Sequence, residues 1–210
     1  MLLPVHPTNP ESRLVQQIET GLRRGGLYIF PTDTAYALVA SLDSPRAINE
    51  IYRIKNLSDK HSLSLLCRDV AMASHYALNI ANPVFRFMKA HTPGPYTFIL
   101  RANRHVDRRG VGKKKEVGVR IVNHPLHLQL MERLDIPLIS SSLTTDDEYV
   151  TDPEDLDQLY GNAVEAVIDG GVFARQVSTI IDCTDDPPRL VRQGEGDVTE
   201  LEGLLEMDDA

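Results

Sequence analysis

Cysteine is scarce: Cys67 and Cys183 are the only two in 210 residues, and no CxxC pair occurs. A disulfide framework and a zinc ribbon are thereby excluded, and a reduced compartment is the expectation. No run of about 18 apolar residues is found. The opening stretch, MLLPVHPTNPES, lacks a basic segment followed by an apolar one. A membrane span and a secretory signal are therefore not expected, and the chain reads as cytoplasmic. Internal repeats and low-complexity tracts are also missing. The common catalytic signatures GxGxxG, GxxxxGK[ST], HExxH and GxSxG are all absent, which removes most familiar enzyme classes.

What is present is an ordinary globular composition, 42% apolar and 25% charged, enough to bury a proper core. The formal charge of −8 is unevenly placed. Residues 1 to 133 hold 19 Lys/Arg against 10 Asp/Glu, whereas residues 134 to 210 hold 3 against 20. A basic body joined to an acidic end points to a polyanion-facing surface, or more simply to a solubilising tail.

Periodicity predicts a first helix over 9–24, with Asn9 as cap, Pro10 at the first turn and Gly25-Gly26 as the stop. Strands are expected at 27–30, 35–41, 62–67, 96–101, 117–121, 137–142, 164–169, 178–182 and 189–191. Further helices are expected from Pro45, over 69–79 and 82–90, from Pro125 to about Leu134, and after Asp152-Pro153. Residues 101–115 form the most basic loop, and 194–210 read as a loosely held acidic tail. Strands and helices mingle without strict alternation, which implies a single α/β domain with a mixed, twisted sheet flanked by helices.

Isolated side chains carry little chemistry. His124 and His127 could share a helix face, but no third ligand stands nearby, so no metal site is assigned. Cys183 sits among Asp182, Asp185 and Asp186, which oppose thiolate formation. More informative are segments dense in small hydroxyls, glycine, proline and lone cations: PTDTAYAL (31–38), IYRIKNLSDKHSLSLL (51–66), TPGPYTFIL (92–100), EVGVRIVNHP (116–125), SSSLTT (140–145), STIID (178–182) and LVRQGEG (190–196). Each puts donors at a strand end or turn, and Lys55, Arg120 and Arg192 suit phosphate or carboxylate.

Taken in order, these segments resemble the YrdC/YciO-like family, most of all its YciO branch, over residues 10–198; 199–210 is then an acidic C-terminal tail. The resemblance implies a YrdC-like twisted sheet with a large basic concave surface. It also implies binding of nucleotides and double-stranded RNA. Synthases of this family make threonylcarbamoyl-AMP from ATP, threonine and bicarbonate for tRNA modification, with Mg²⁺ accompanying ATP. By resemblance Thr34, Arg120, Ser140 and Ser178 fall on threonine- or carboxylate-binding positions. Lys55, Ser142 and Arg192, with the nearby His61, fall on nucleotide-binding ones. Arg101, Arg104, Arg108, Arg109, Lys113, Lys114 and Lys115 are the candidate RNA contacts.

Departures accompany the likeness. Where synthases carry Lys-x-Arg this chain reads Lys55-Asn56-Leu57, and Ser-x-Asn becomes Ser142-Leu143-Thr144. Leu66 replaces a histidine beside threonine, Ala35 and Ala37 replace Val and Gly, and Glu116 stands near a nucleotide position. Each lost charged partner costs about 1.5–3 kcal/mol. The expectation is a nucleotide- or RNA-binding protein with weak or lost synthase activity. The alternative is a working synthase in which Lys60 or His61 restores the clamp. A hydrolase or carbamoyl-transfer relative is a third reading, for which the sequence offers no nucleophile. Oligomeric state is not readable.

Overall fold

The computed structural model describes residues 1–57, 63–111, 115–145, 148–172 and 176–201. In chain order its elements are β1 (Leu2–Pro4), α1 (Ser12–Arg23), β2 (Tyr28–Phe30), β3 (Ala37–Ser41), α2 (Pro45–Ile54), β4 (Ser64–Leu66), α3 (Val70–Tyr76) and β5 (Ala77–Leu78). There follow α4 (Asn82–His91), β6 (Tyr96–Ala102), α5 (Arg104–Asp107), β7 (Glu116–Arg120), α6 (Pro125–Arg133) and β8 (Leu138–Ser142). The chain continues through β9 (Thr144–Thr145), β10 (Glu148–Tyr149), α7 (Pro153–Tyr160), β11 (Ala166–Asp169), β12 (Thr179–Asp182) and β13 (Arg189–Arg192).

One sheet runs through the molecule in the order β1-β11-β2-β3-β8-β4-β7-β6-β12-β13, with β5 added beside β6. Four neighbouring pairs are parallel (β1 with β11, β11 with β2, β4 with β7, β6 with β12) and the others along this order are antiparallel, which makes the α/β sheet mixed. No helix among the described residues is long and apolar enough to cross a membrane.

Most of the expected elements are present, and their ends follow local chemistry. Ser44 caps α2 by accepting from the Ala47 amide at 3.2 Å, and Asp152 caps α7 by accepting from Glu154 at 2.8 Å. The first helix differs: it starts at Ser12, and Glu11 at the cap position makes no side-chain bond. Asn9 lies outside the helix, in a separate turn before Pro10 where its amide donates to His6 Nδ1 at 3.1 Å. Strand β1 was not expected, since three residues carry too short a pattern; it is held by a parallel partner, Val167, 165 positions away in register with Leu2. The basic loop is also shorter than expected. Asn103 accepts from the His105 and Val106 amides and caps the one-turn helix α5.

The acidic end is less loose than expected as far as Leu201. Tyr96 Oη donates to the Asp197 carbonyl at 2.9 Å, Glu200 lies 3.4 Å from His91, and Val198 and Leu201 are buried. Two apolar side chains there gain more from burial than the carboxylates lose by staying near the surface. Residues 202–210 lie outside the described residues.

Candidate functional site

Strand parity sorts the central sheet into two chemically different faces. Gly118 on β7 stands opposite Ser64 on one side and Ile99 on the other, and Ser64 stands opposite Ser140. Arg120 shares the side of Gly118, while Thr97 and Arg101 share that of Ile99. Ile180, paired with both Thr97 and Arg192, carries this side across β12 to β13. The other side, with Leu65, Val119, Phe98, Leu100 and Ile181, is buried. Helix α4 covers it, with Phe87 meeting Tyr96 and Phe98 edge-on at centroid distances of 5.5 and 6.2 Å. A band of hydroxyls and cations thus occupies the opposite side, where Thr34, Thr97, Arg120, Ser140 and Ser178 are themselves buried.

Three clusters make up the band. In the first, Arg120 Nη2 donates to Asp33 Oδ1 at 2.5 Å and to Thr34 Oγ1 at 3.0 Å. Both ion-pair partners are almost completely buried, at 7% and 8% side-chain exposure, and Asp33 Oδ2 also accepts from the Asn123 amide at 3.0 Å. The PTDT turn that presents Thr34 is locked by Thr32, whose Oγ1 donates to the Ala35 carbonyl and accepts from the Thr34 and Ala35 amides.

In the second, Ser178 Oγ lies 2.8 Å from Thr97 Oγ1, and Arg192 donates from Nε and Nη2 to the Ser178 carbonyl at 3.2 and 2.9 Å. In the third, Lys55 Nζ donates to the Ser142 carbonyl at 2.6 Å, tying the end of α2 to the end of β8. Burial pulls the Lys55 pKa down from its ordinary value. Gly118 keeps the floor between clusters low, since a Cβ there would meet Ser64 Oγ at 2.6 Å and Thr97 Cγ2 at 3.4 Å.

The structure brings together Thr34, Arg120, Ser140, Ser178, Ser142, Lys55 and Arg192 along this band. His61, Lys60, Lys113 and Lys114 lie outside the described residues, as does the side chain of Thr144. Of the other RNA candidates, Arg104, Arg108 and Lys115 are exposed. Arg101 is paired with Asp185 at 2.7 Å and stands in register with Glu116. Arg109 is held by Asp43 and by the Leu42 carbonyl. Sequence reasoning passed over Asp33 and Thr97, although both stand in the segments singled out. Their signal was spatial: only the fold sets Asp33 against Arg120 and Thr97 against Ser178.

The residues that depart from the synthase pattern have structural duties. Leu57 is partly buried and packs on the core, and Leu66 is 1% exposed. Ala37 is buried between Phe30 and Ser142 in the sheet. His124 Nδ1 caps α6 by accepting from Leu126, and burial lowers its pKa. The Cys183 thiol is pushed up to about 12 by burial and by Asp182. Among the described residues no three His, Cys, Asp or Glu side chains are grouped to hold a metal.

The Sua5_yciO_yrdC family model, described as "Telomere recombination", matches residues 20–194. The uncharacterized protein YciO of Escherichia coli K12 is 40% identical over 197 residues, covering 92% of this chain and 95% of that protein. The threonylcarbamoyl-AMP synthase of Pyrococcus abyssi is 29% identical over 88% of this chain but only 55% of its own length. The crystal structure of E. coli YciO superposes with a TM-score of 0.88, at 38% identity, over 95% of this chain and 98% of that one. The crystal structure of P. abyssi Sua5 with L-threonine gives 0.87 at 27% identity, over 97% of this chain and 60% of that one. The matched span, the 40% identity and the shared fold establish that this chain belongs to the Sua5/YciO/YrdC family.

Proposed function

We propose that this chain binds nucleotides and double-stranded or transfer RNA through the polar face of its sheet, and that its threonylcarbamoyl-AMP synthase activity is weak or lost. Lys55 and Arg192 are the phosphate-facing cations; Ser142 and His61 complete the nucleotide-binding set. Thr34, Arg120, Ser140 and Ser178 form a carboxylate-sized subsite that retains affinity for threonine or a similar amino acid. Arg101, Arg104, Arg108, Arg109 and Lys113 to Lys115 contribute phosphate contacts to RNA, with Arg104, Arg108 and Lys115 the most accessible of the described ones. Mg²⁺, arriving with ATP, would draw its ligands mainly from phosphate and water.

The observation that carries this reading is Leu57. At the position of a second phosphate cation the side chain is apolar, and it packs, partly buried, against the core. One clamp is therefore missing from a reaction that depends on neutralising a triphosphate. Pyrophosphate release from ATP with threonine and bicarbonate is expected to be no faster than in Lys55→Ala, while duplex RNA binds at low salt and is lost steeply as salt rises. Robust threonine-dependent release, or duplex affinity indifferent to salt, refutes the proposal.

A further inference from the structure

A second cavity, of about 270 Å³, opens on the helical side of the sheet, away from the polar band. Its walls are Val70 and Ala71 of α3, Phe85 of α4, and Pro93 and Ile121 at the adjoining turns. None of the residues of the polar band lines it. Arg68 and Lys89 stand at its rim, with Asp69 and Thr92. We infer that this cavity binds a small monocarboxylic acid with an apolar body.

The polar groups of the rim are not equally available. Both Asp69 oxygens are committed, Oδ1 to the Met72 amide at 2.7 Å and Oδ2 to Arg68 Nε at 3.0 Å. Thr92 Oγ1 is spent on the Met88 carbonyl at 2.6 Å. Lys89 is exposed and pairs with no acid among the described residues, and the terminal nitrogens of Arg68 meet no acceptor there. What remains on offer is the Lys89 ammonium and the terminal nitrogens of Arg68, whose charge Asp69 partly offsets, above an apolar floor. A carboxylate satisfies the donors and a phenyl or branched alkyl group fills the floor; a neutral apolar molecule would use only half of the site. A volume near the lower end of ligand pockets limits the occupant to a small metabolite.

The test uses the full chain with phenylacetate as probe and phenylacetamide as its uncharged match, followed by amide chemical-shift titration. Phenylacetate is expected to shift Val70, Ala71, Lys89 and Ile121 with a Kd at or below about 1 mM. The amide should bind about tenfold or more weakly. Lys89→Glu should weaken phenylacetate to the level of the amide, and Ala71→Trp, a substitution at an exposed helix position, should close the cavity to both while the melting temperature is kept. Equal binding of acid and amide, shifts centred on Ser140 or Ser178, saturation untouched by Ala71→Trp, or no shift at about 1 mM would each overturn the assignment.

Discussion

His127 offers a quantitative test of how tightly the layer behind the polar band is packed. It is 3% exposed, its Nε2 lies 3.4 Å from the Cys67 carbonyl, and Nδ1 has no hydrogen-bond partner among the described residues. That arrangement fits a neutral ring whose Nε2–H points at the carbonyl. Burial, with Arg120 and His124 nearby, lowers its pKa to about 4. The unfolded chain, with a histidine near 6.5, therefore takes up this proton first as pH falls. The associated stability is fully present above about pH 6.5 and drains away toward pH 4; a shift of this size corresponds to roughly 3 kcal/mol. His127→Leu keeps an apolar body in the site and removes the titration. Urea unfolding of both proteins from about pH 7.5 to about pH 4.5 should show their stability difference moving by about 2 kcal/mol or more in favour of the variant. A difference that stays constant within about 0.5 kcal/mol would mean that His127 charges freely in the folded state, and the packing described here would be wrong.

Other outcomes follow from the band. Asp33→Ala leaves a charge in a buried setting and should cost about 3–5 kcal/mol in urea unfolding, whereas Asp33→Ala with Arg120→Met should recover much of that loss. Lys55→Ala should raise the Kd for ATP about tenfold or more by calorimetry, because a half-buried cation leaves the phosphate region. Gly118→Val should weaken ligand binding at the band by raising its floor, with the fold retained by circular dichroism. Leu57→Arg together with Thr144→Asn should increase threonine-dependent pyrophosphate release over the parent chain; no increase would place the deficit elsewhere.

Much of this architecture was legible in the chain. Ser44-Pro45 and Asp152-Pro153 mark helix starts because cap and first-turn chemistry act over three or four residues, and the structure has helices beginning at both. The β-rich run from Tyr96 to Arg101 after the rigid turn Thr92-Pro93-Gly94-Pro95 likewise foretells β6. Features set by distant partners were harder to read. Asn9 was the better cap on paper, but it lies in a separate turn, its amide donating to His6. Strand β1 exists only because β11 lies alongside it. In the site, the cations Lys55, Arg120 and Arg192 stood out as isolated charges, yet their neighbours Asp33 and Thr97 did not. A carboxylate one residue from Thr34 becomes part of the site only when an arginine 87 positions later is folded against it.

The pairing of Ser178 with Thr97 spans 81 residues, and the bond from Tyr96 to Asp197 spans 101. A ribosome must therefore finish nearly the whole protein before β12, β13 and the segment after them can close on β6. Earlier strands can pair while the chain emerges, but Ser178 and Arg192 are contributed last. Nascent chains consequently lack the bonds of Ser178 to Thr97 and of Arg192 to Ser178, and any product truncated before Arg192 never gains the second. On the proposed function, ligand capture is deferred until translation is almost complete.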